Sequence, residues 1–301
     1  IVLIYIYSNY LNKSFNGETY YKNQLSYGIP VGLAAMIGII NVNVDKYLVA
    51  MFFSTSIFGV YYLGSLWAPV FGWFTQSAGQ VITPRLSKAH KDNNLNEMRD
   101  LYNKSVEKLA LLFLPLTVLL ILMAEPLIIT MFTDKFEGTI PIFTIYMTLL
   151  PTYVFRIGWV LMASGQTKFL LRLAIAMSSI NIILSYYLIT TLTGDNRLLG
   201  IPFATVTVTW LSMFVIMYQS SSTLESKMFR LYPWRKIFEI MVISVISGLP
   251  VFILLEQNLP DVALLTIGSI VYGIIFLYGT FKLKIWGNSE IEIIKSLLKS
   301  G

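Results

Sequence analysis

YLVAMFFSTSIFGVYYLGSLWAPVFGWFTQSAGQVITP, residues 47–84, is a run of 38 residues without one charged side chain, closed by Lys46 on one side and Arg85 on the other. A bilayer core about 30 Å thick takes roughly 20 helical residues. The run is therefore too long for one crossing, and its only polar turn is Ser54-Thr55-Ser56. The reading that fits is one helix ending near Phe53 and a second starting near Ile57. Tyr47–Phe53 then continues the first helix outward, which places Asp45 and Lys46 inside the membrane. A loop-end ion pair is the other reading of those two residues. Neighbours on a helix point about 100° apart, so they need not pair with each other.

Working outward from this stretch, long apolar segments recur along the chain. The candidate spans are about Leu25–Phe53, Ile57–Ile82, Leu109–Ala124, Ile140–Ala163, Phe169–Leu192, Leu198–Gln219, Ile237–Leu255 and Val262–Phe281. Proline lies inside several of them (Pro30, Pro69, Pro115, Pro151, Pro202, Pro250). Membrane helices tolerate this because neighbours and Ser/Thr side chains re-satisfy the freed backbone groups. The roughly ten-residue alternation of an outer-membrane barrel is absent. Hydrophobic residues make up 55% and charged residues 13% of the 301, with mean hydropathy +0.67. Soluble domains carry about 25% charged residues. The fold class is all-α, a polytopic membrane helical bundle of about eight transmembrane helices.

The charges give the orientation. Of 22 Lys and Arg, only Lys135 and Arg197 fall in one set of gaps, and Lys46 and Arg156 fall within spans. All others, from Lys13 and Lys22 through the Arg85–Lys108 connection to Lys295 and Lys299, lie on the opposite side. The positive-inside rule makes that side cytoplasmic in a cell membrane. The net charge of +6 is thus a topology signal and no reason to invoke nucleic acid. With no cysteine and the single histidine His90, thiolate and histidine metal sites are excluded. No HExxH or GxSxG motif occurs, and the glycines of 28–38 precede no phosphate-loop Lys-Ser/Thr. No catalytic residue, metal site or cofactor is expected.

Two further segments bear on organisation. Residues 84–108 mix both charges with Leu95, Met98, Leu101, Tyr102 and Val106 at helical spacing. They read either as an amphipathic helix on the cytoplasmic face or as a solvated helical hairpin linker. Ile1–Tyr7 reads as the end of a helix whose beginning is missing, and the chain as the C-terminal portion of a longer protein.

Polar groups inside spans are expensive and usually face a bundle interior or a watery cavity. In the fourth span Thr144, Thr148, Thr152 and Arg156 recur every four residues and form one stripe. Arg156 either lines a cavity beside Pro151 or snorkels to the interface. In the second span Ser65, Gly72, Gln76 and Gln80 share a face, for substrate or for helix–helix hydrogen bonds. Asn41 and Asp45 are four apart in the first span. Ser178, Asn181 and Ser185 line up in the fifth, and Thr205, Thr209 and Ser212 in the sixth. The last two spans are poorer in polar groups. Six converging polar faces would make a solvated lumen.

These residues carry a resemblance. Tyr27-Gly28-Ile29-Pro30, Asn41 with Asp45-Lys46-Tyr47-Leu48, and Gly59-Val60-Tyr61-Tyr62 resemble the start of the second lobe of polysaccharide flippases. Thr83-Pro84-Arg85-Leu86-Ser87, Leu114-Pro115, Glu125-Pro126-Leu127-Ile128 with Met131-Phe132, and Gly165-Gln166-Thr167-Lys168 with Asn181 extend the likeness. It covers about Tyr20–Gln219. The family is the Wzx-type flippases of O-antigen (lipopolysaccharide) and capsule, in the MATE-like multidrug/oligosaccharidyl-lipid/polysaccharide exporter superfamily.

The resemblance implies a transporter, not an enzyme, with two six-helix lobes around a cavity open alternately to each side. Residues 1–24 would be the end of a preceding helix and a cytoplasmic linker, 25–220 the second lobe, 221–283 two additional helices and 284–301 a cytoplasmic tail. The N-terminal lobe would be missing from this chain. The substrate would be an undecaprenyl-pyrophosphate-linked oligosaccharide, carried to the outer leaflet among membrane lipids. Arg156 is then expected at the anionic head, with Lys46 second. Asn41, Gln76, Gln80, Thr148, Thr152 and Asn181 would line the cavity. Asp45 would orient a cation or couple H⁺ or Na⁺. A multidrug or cation antiporter of the same superfamily is the alternative, and a polysaccharide polymerase or ligase a further one.

Overall fold

The computed structural model of the chain describes residues 17–155, 158–194, 196–257 and 259–285. The uncharged run 47–84 turns at Ser54 as expected. Helix α1, Gly17–Phe52, ends there, and the Ser54 hydroxyl accepts the Ile57 amide at 3.4 Å to cap α2, Thr55–Ser65. Asp45 and Lys46 are therefore helical and lie seven and six residues before the end of α1. The helix already runs from Gly17, within the stretch 1–24 expected to hold the end of a preceding helix and a linker. Ile1–Tyr7 and the tail from residue 286 lie outside the described residues.

A one-residue break at Leu66 separates α2 from α3, Trp67–Lys91. Pro69 has no N–H to offer the carbonyl of Ser65, four residues back, which accounts for the break. At the basic end α3 meets α4, Leu95–Leu122, in a tight turn. Asn93 adopts a left-handed φ of 53°, and Asn94 accepts the Glu97 amide while donating to its carboxylate. Residues 84–108 are thus the ends of two spanning helices and form no separate surface helix. The hairpin reading is the one realised. With its 28 residues α4 is about 42 Å long at 1.5 Å per residue, so it reaches beyond the hydrocarbon at one end.

The chain then breaks into short pieces: α5, Ala124–Phe132; α6, Thr139–Met147; α7, Thr152–Phe155; and α8, Trp159–Ala163. Four longer helices follow in pairs: α9, Thr167–Thr191, with α10, Asn196–Thr223; and, after the single turn α11, Met228–Leu231, α12, Trp234–Leu255, with α13, Asp261–Lys282. Every regular element among the described residues is helical.

Seven of these segments are long and apolar enough to cross a membrane: Gln24–Phe52, Thr55–Lys91, Leu95–Leu122, Thr167–Thr191, Asn196–Thr223, Trp234–Leu255 and Asp261–Lys282. The protein is a multi-pass helical membrane protein. The expected fourth span, 140–163, differs. Pro151 cannot donate to Met147, whose carbonyl takes the Leu150 amide instead, and amides 148–150 and 152–154 all bond three residues back. This tighter winding separates α6 from α7. Near 120° per residue, a spacing of four no longer keeps threonines on one face.

Packing divides into two groups. Helix α9 packs along α1 and α10, while α12 packs along α13 and α4. Between them α3 contacts α4 and α8, and α2 contacts α6. Small residues let α12 and α13 approach the end of α4. A Cβ on Gly268 would meet the Met123 side chain, and one on Gly248 would lie 2.7 Å from Leu122. Ser244 and Ser247, fully buried, turn their hydroxyls back onto Ile240 and Ile243. On the outside, Phe238, Phe252, Ile253, Ile274 and Tyr278 are exposed, as a lipid-facing surface requires. At the basic end Arg99 donates to the carbonyls of Leu224 (2.8 Å) and Glu225 (3.1 Å), and Lys236 pairs with Glu107 at 2.7 Å.

Candidate functional site

Asp45 is the buried acid of the bundle, 3% exposed in the outer half of α1. Its Oδ2 accepts two hydroxyls: Tyr146 of α6 at 2.8 Å and Thr205 of α10 at 2.6 Å. Thr205 also lies 3.3 Å from Asn181 Oδ1, and Ser185, one turn along α9, lies 3.4 Å from the same atom. Tyr146 gives its single proton to the carboxylate. The 2.6 Å contact between the Tyr61 and Tyr146 hydroxyls must then have Tyr61 as donor. The order is Tyr61 to Tyr146 to Asp45. Five helices, α1, α2, α6, α9 and α10, supply the cluster, and its oxygens come from a carboxylate, an amide and hydroxyls. Oδ1 of Asp45 is buried and has no hydrogen-bond partner among the described residues.

A buried carboxylate with one unsatisfied oxygen is costly inside a membrane. The carboxylate and hydroxyl oxygens gathered here are of the kind that a proton or a hard cation takes.

Lys46 points elsewhere. Its Nζ stands over the Tyr62 ring, 5.1 Å from the centroid, so the adjacent acid and base do not pair with each other. Asn181, Asp45 and Thr205 are thus brought together. The remaining expected residues are not. Gln76 and Gln80 are exposed on α3, where Gly79 is the position pressed against Trp159. Thr144, Thr148 and Thr152 bond to the carbonyls of Ile140, Ile145 and Leu149. These donations go to backbone carbonyls of the same segment, around the break. The six polar faces therefore do not converge on one cavity among the described residues. Arg156 and the Asn41 side chain lie outside the described residues.

Between α1, α9 and α10 is a cavity of about 270 Å³ lined by Gly38, Ser178, Thr209 and Ser212, among others. Here two of the expected polar stripes, from the fifth and sixth spans, do face one another.

The family comparison agrees with this membrane architecture. Residues 1–141 match the model of a family described as polysaccharide biosynthesis protein. The matched stretch includes Asp45, Lys46, Tyr61, Gln76 and Gln80. No curated protein matches the chain.

Tyr61 and Tyr146 are the site residues that composition and spacing did not single out, and Thr205 was not among the expected cavity residues. Thr205 carried a signal, being the first member of the Thr205–Thr209–Ser212 stripe. Tyr146 sits between two threonines of a stripe that the break dissolves. Only the pairing of chain segments 85 residues apart brings it to Tyr61.

Proposed function

We propose that this chain forms one lobe of a transporter that moves an undecaprenyl-pyrophosphate-linked oligosaccharide from the cytoplasmic to the outer leaflet of the cell membrane. The basic loops face the cytoplasm in this reading, and the reaction involves no covalent chemistry. The match of residues 1–141 to polysaccharide biosynthesis proteins carries it, and the multi-pass helical bundle supports it. Arg156 engages the pyrophosphate, because a guanidinium offers a planar fork to phosphate oxygens. Gln76 and Gln80, exposed on α3, contact sugar hydroxyls. Asp45, ringed by hydroxyls, binds the coupling H⁺ or Na⁺. Rocking of one lobe against another would supply alternating access.

The test is export of surface polysaccharide by cells in which this protein is the sole flippase. Arg156→Ala is expected to abolish export at normal protein level. Arg156→Lys is expected to restore it in part, since an ammonium keeps charge but loses bidentate geometry. Wild-type export by Arg156→Ala at matched expression removes Arg156 from the mechanism. The Asp45 cluster also favours a second reading, a cation-driven antiporter of small molecules. Failure of export by the wild-type chain, with cation-dependent drug resistance in its place, would establish that reading.

A further inference from the structure

The cavity beside Ser178, Thr209 and Ser212 has a defined position relative to Asp45. Helix α1 leaves the basic end at Gly17, so Gly38 lies two turns on the basic side of Asp45. Helix α9 also rises from that end, and Ser178 lies one turn on the basic side of Asn181. Helix α10 runs the other way, and Thr209 and Ser212 lie one and two turns on the basic side of Thr205. Three helices of two directions thus place the cavity on the same side of the cluster.

Its hydroxyls are unusual for this bundle. Thr144, Thr207, Ser244 and Ser247 close onto their own helices. The side chains of Ser178, Thr209 and Ser212 make no hydrogen bond among the described residues. Unpaired hydroxyls within a membrane need water, and about 270 Å³ holds several molecules. Asp45, whose Oδ1 has no hydrogen-bond partner among the described residues, lies two turns beyond Gly38 along α1.

We propose that this cavity is a hydrated vestibule through which a small monovalent cation, H⁺ or Na⁺, reaches Asp45 from the basic side of the membrane. It is a route separate from the surface that carries Gln76 and Gln80. The inference rests on Asp45 being the coupling group.

The chain has no cysteine, so single replacements report cleanly. Ser178→Cys and Ser212→Cys are each exposed to a charged, membrane-impermeant methanethiosulfonate, added to either side of sealed vesicles. Ser222→Cys marks the basic side and Asn196→Cys the other. Modification from the Ser222 side, with loss of export by the modified protein, is the expected result. Modification only from the Asn196 side, or only after denaturation, overturns the vestibule. Replacing sodium by choline separates the two cations: protection of Ser178→Cys by sodium assigns Na⁺, and an unchanged rate assigns H⁺. Asp45→Asn tests the underlying reading separately. If it exports normally while both cysteines react from the basic side, Asp45 is not the coupling group and the hydrated cavity stands. If it stops export while both cysteines stay unreactive, coupling stands and the vestibule falls.

Discussion

The hydroxyl of Thr205 donates to Asp45 Oδ2 at 2.6 Å across 160 residues of chain, tying the outer half of α1 to the first half of α10. A buried hydrogen bond to a charged group contributes about 1.5–3 kcal/mol in soluble proteins, while interhelical bonds in membranes average nearer 0.6 kcal/mol. Thr205→Val is expected to cost about 1 kcal/mol, read as a lowered midpoint of thermal unfolding in detergent. Thr205→Ser keeps the donor and should recover most of that loss. Equal midpoints for the Val and Ser variants would show that the hydroxyl contributes nothing.

The two tyrosines of the cluster should separate functionally. Tyr146→Phe removes a donor to Asp45 itself. Tyr61→Phe leaves that donor in place and removes only the group behind it. Export driven by the coupling cation is expected to fall more in Tyr146→Phe than in Tyr61→Phe. The reverse order, at matched protein levels, would contradict the direction assigned to the hydroxyl chain.

Glycines test the packing. A Cβ on Gly64 would lie 2.8 Å from Ile142 Cγ2 and 3.1 Å from the Thr139 carbonyl. Overpacking of this kind costs typically 1–3 kcal/mol, so Gly64→Ala should lower the unfolding midpoint clearly. Gly28→Ala meets nothing within 4 Å and should be neutral or slightly stabilising. Comparable losses in the two variants would mean that α2 and α6 do not pack as described.

Arg99 predicts which loops share a side. It reaches from α4 to the carbonyls just beyond α10, so Asn93 and Ser222 are expected on one side, with Thr139 and Asn196 on the other. Single cysteines labelled in intact cells read this directly. Labelling at 93 together with 196 would refute it. Arg99→Ala should also loosen the connection after α10, raising its cleavage by added protease, because two carbonyls lose a charge-assisted donor.

Helical spacing exposed much of the fold before any coordinates. The run 47–84, the turn at Ser54 and the helical setting of Asp45 follow from length, charge and one serine cap. Pro151 marks a kink in the sequence but not its extent: amides 148–150 and 152–154 all bond three residues back. Membrane helices commonly absorb a proline, and Pro30, Pro84, Pro115, Pro202 and Pro250 are absorbed here. Nothing local distinguishes these from Pro69 and Pro151, beside which the helix breaks. The site was half legible. Asp45 and Asn181 stood out because charge and amide are rare in hydrocarbon. Tyr61 and Tyr146 read as ordinary apolar positions, since a phenol's role depends on what its hydroxyl meets across the bundle. Gln76 and Gln80 share a helical face in the sequence and stand exposed on it in the structure: spacing says which way side chains point, and neighbouring helices decide what meets them there.

The segment carrying Tyr146 has a mechanical consequence. Tyr146 lies five residues before Pro151, at the lip of the stretch where the chain gives up its regular ladder. A load placed in the middle of a long rod is shared along its whole length. Here the load enters beside a joint. Any change at the Asp45 carboxylate that pulls or releases Tyr146 is delivered to a place that bends cheaply, between a short upper lever, α6, and the two short pieces α7 and α8 below it.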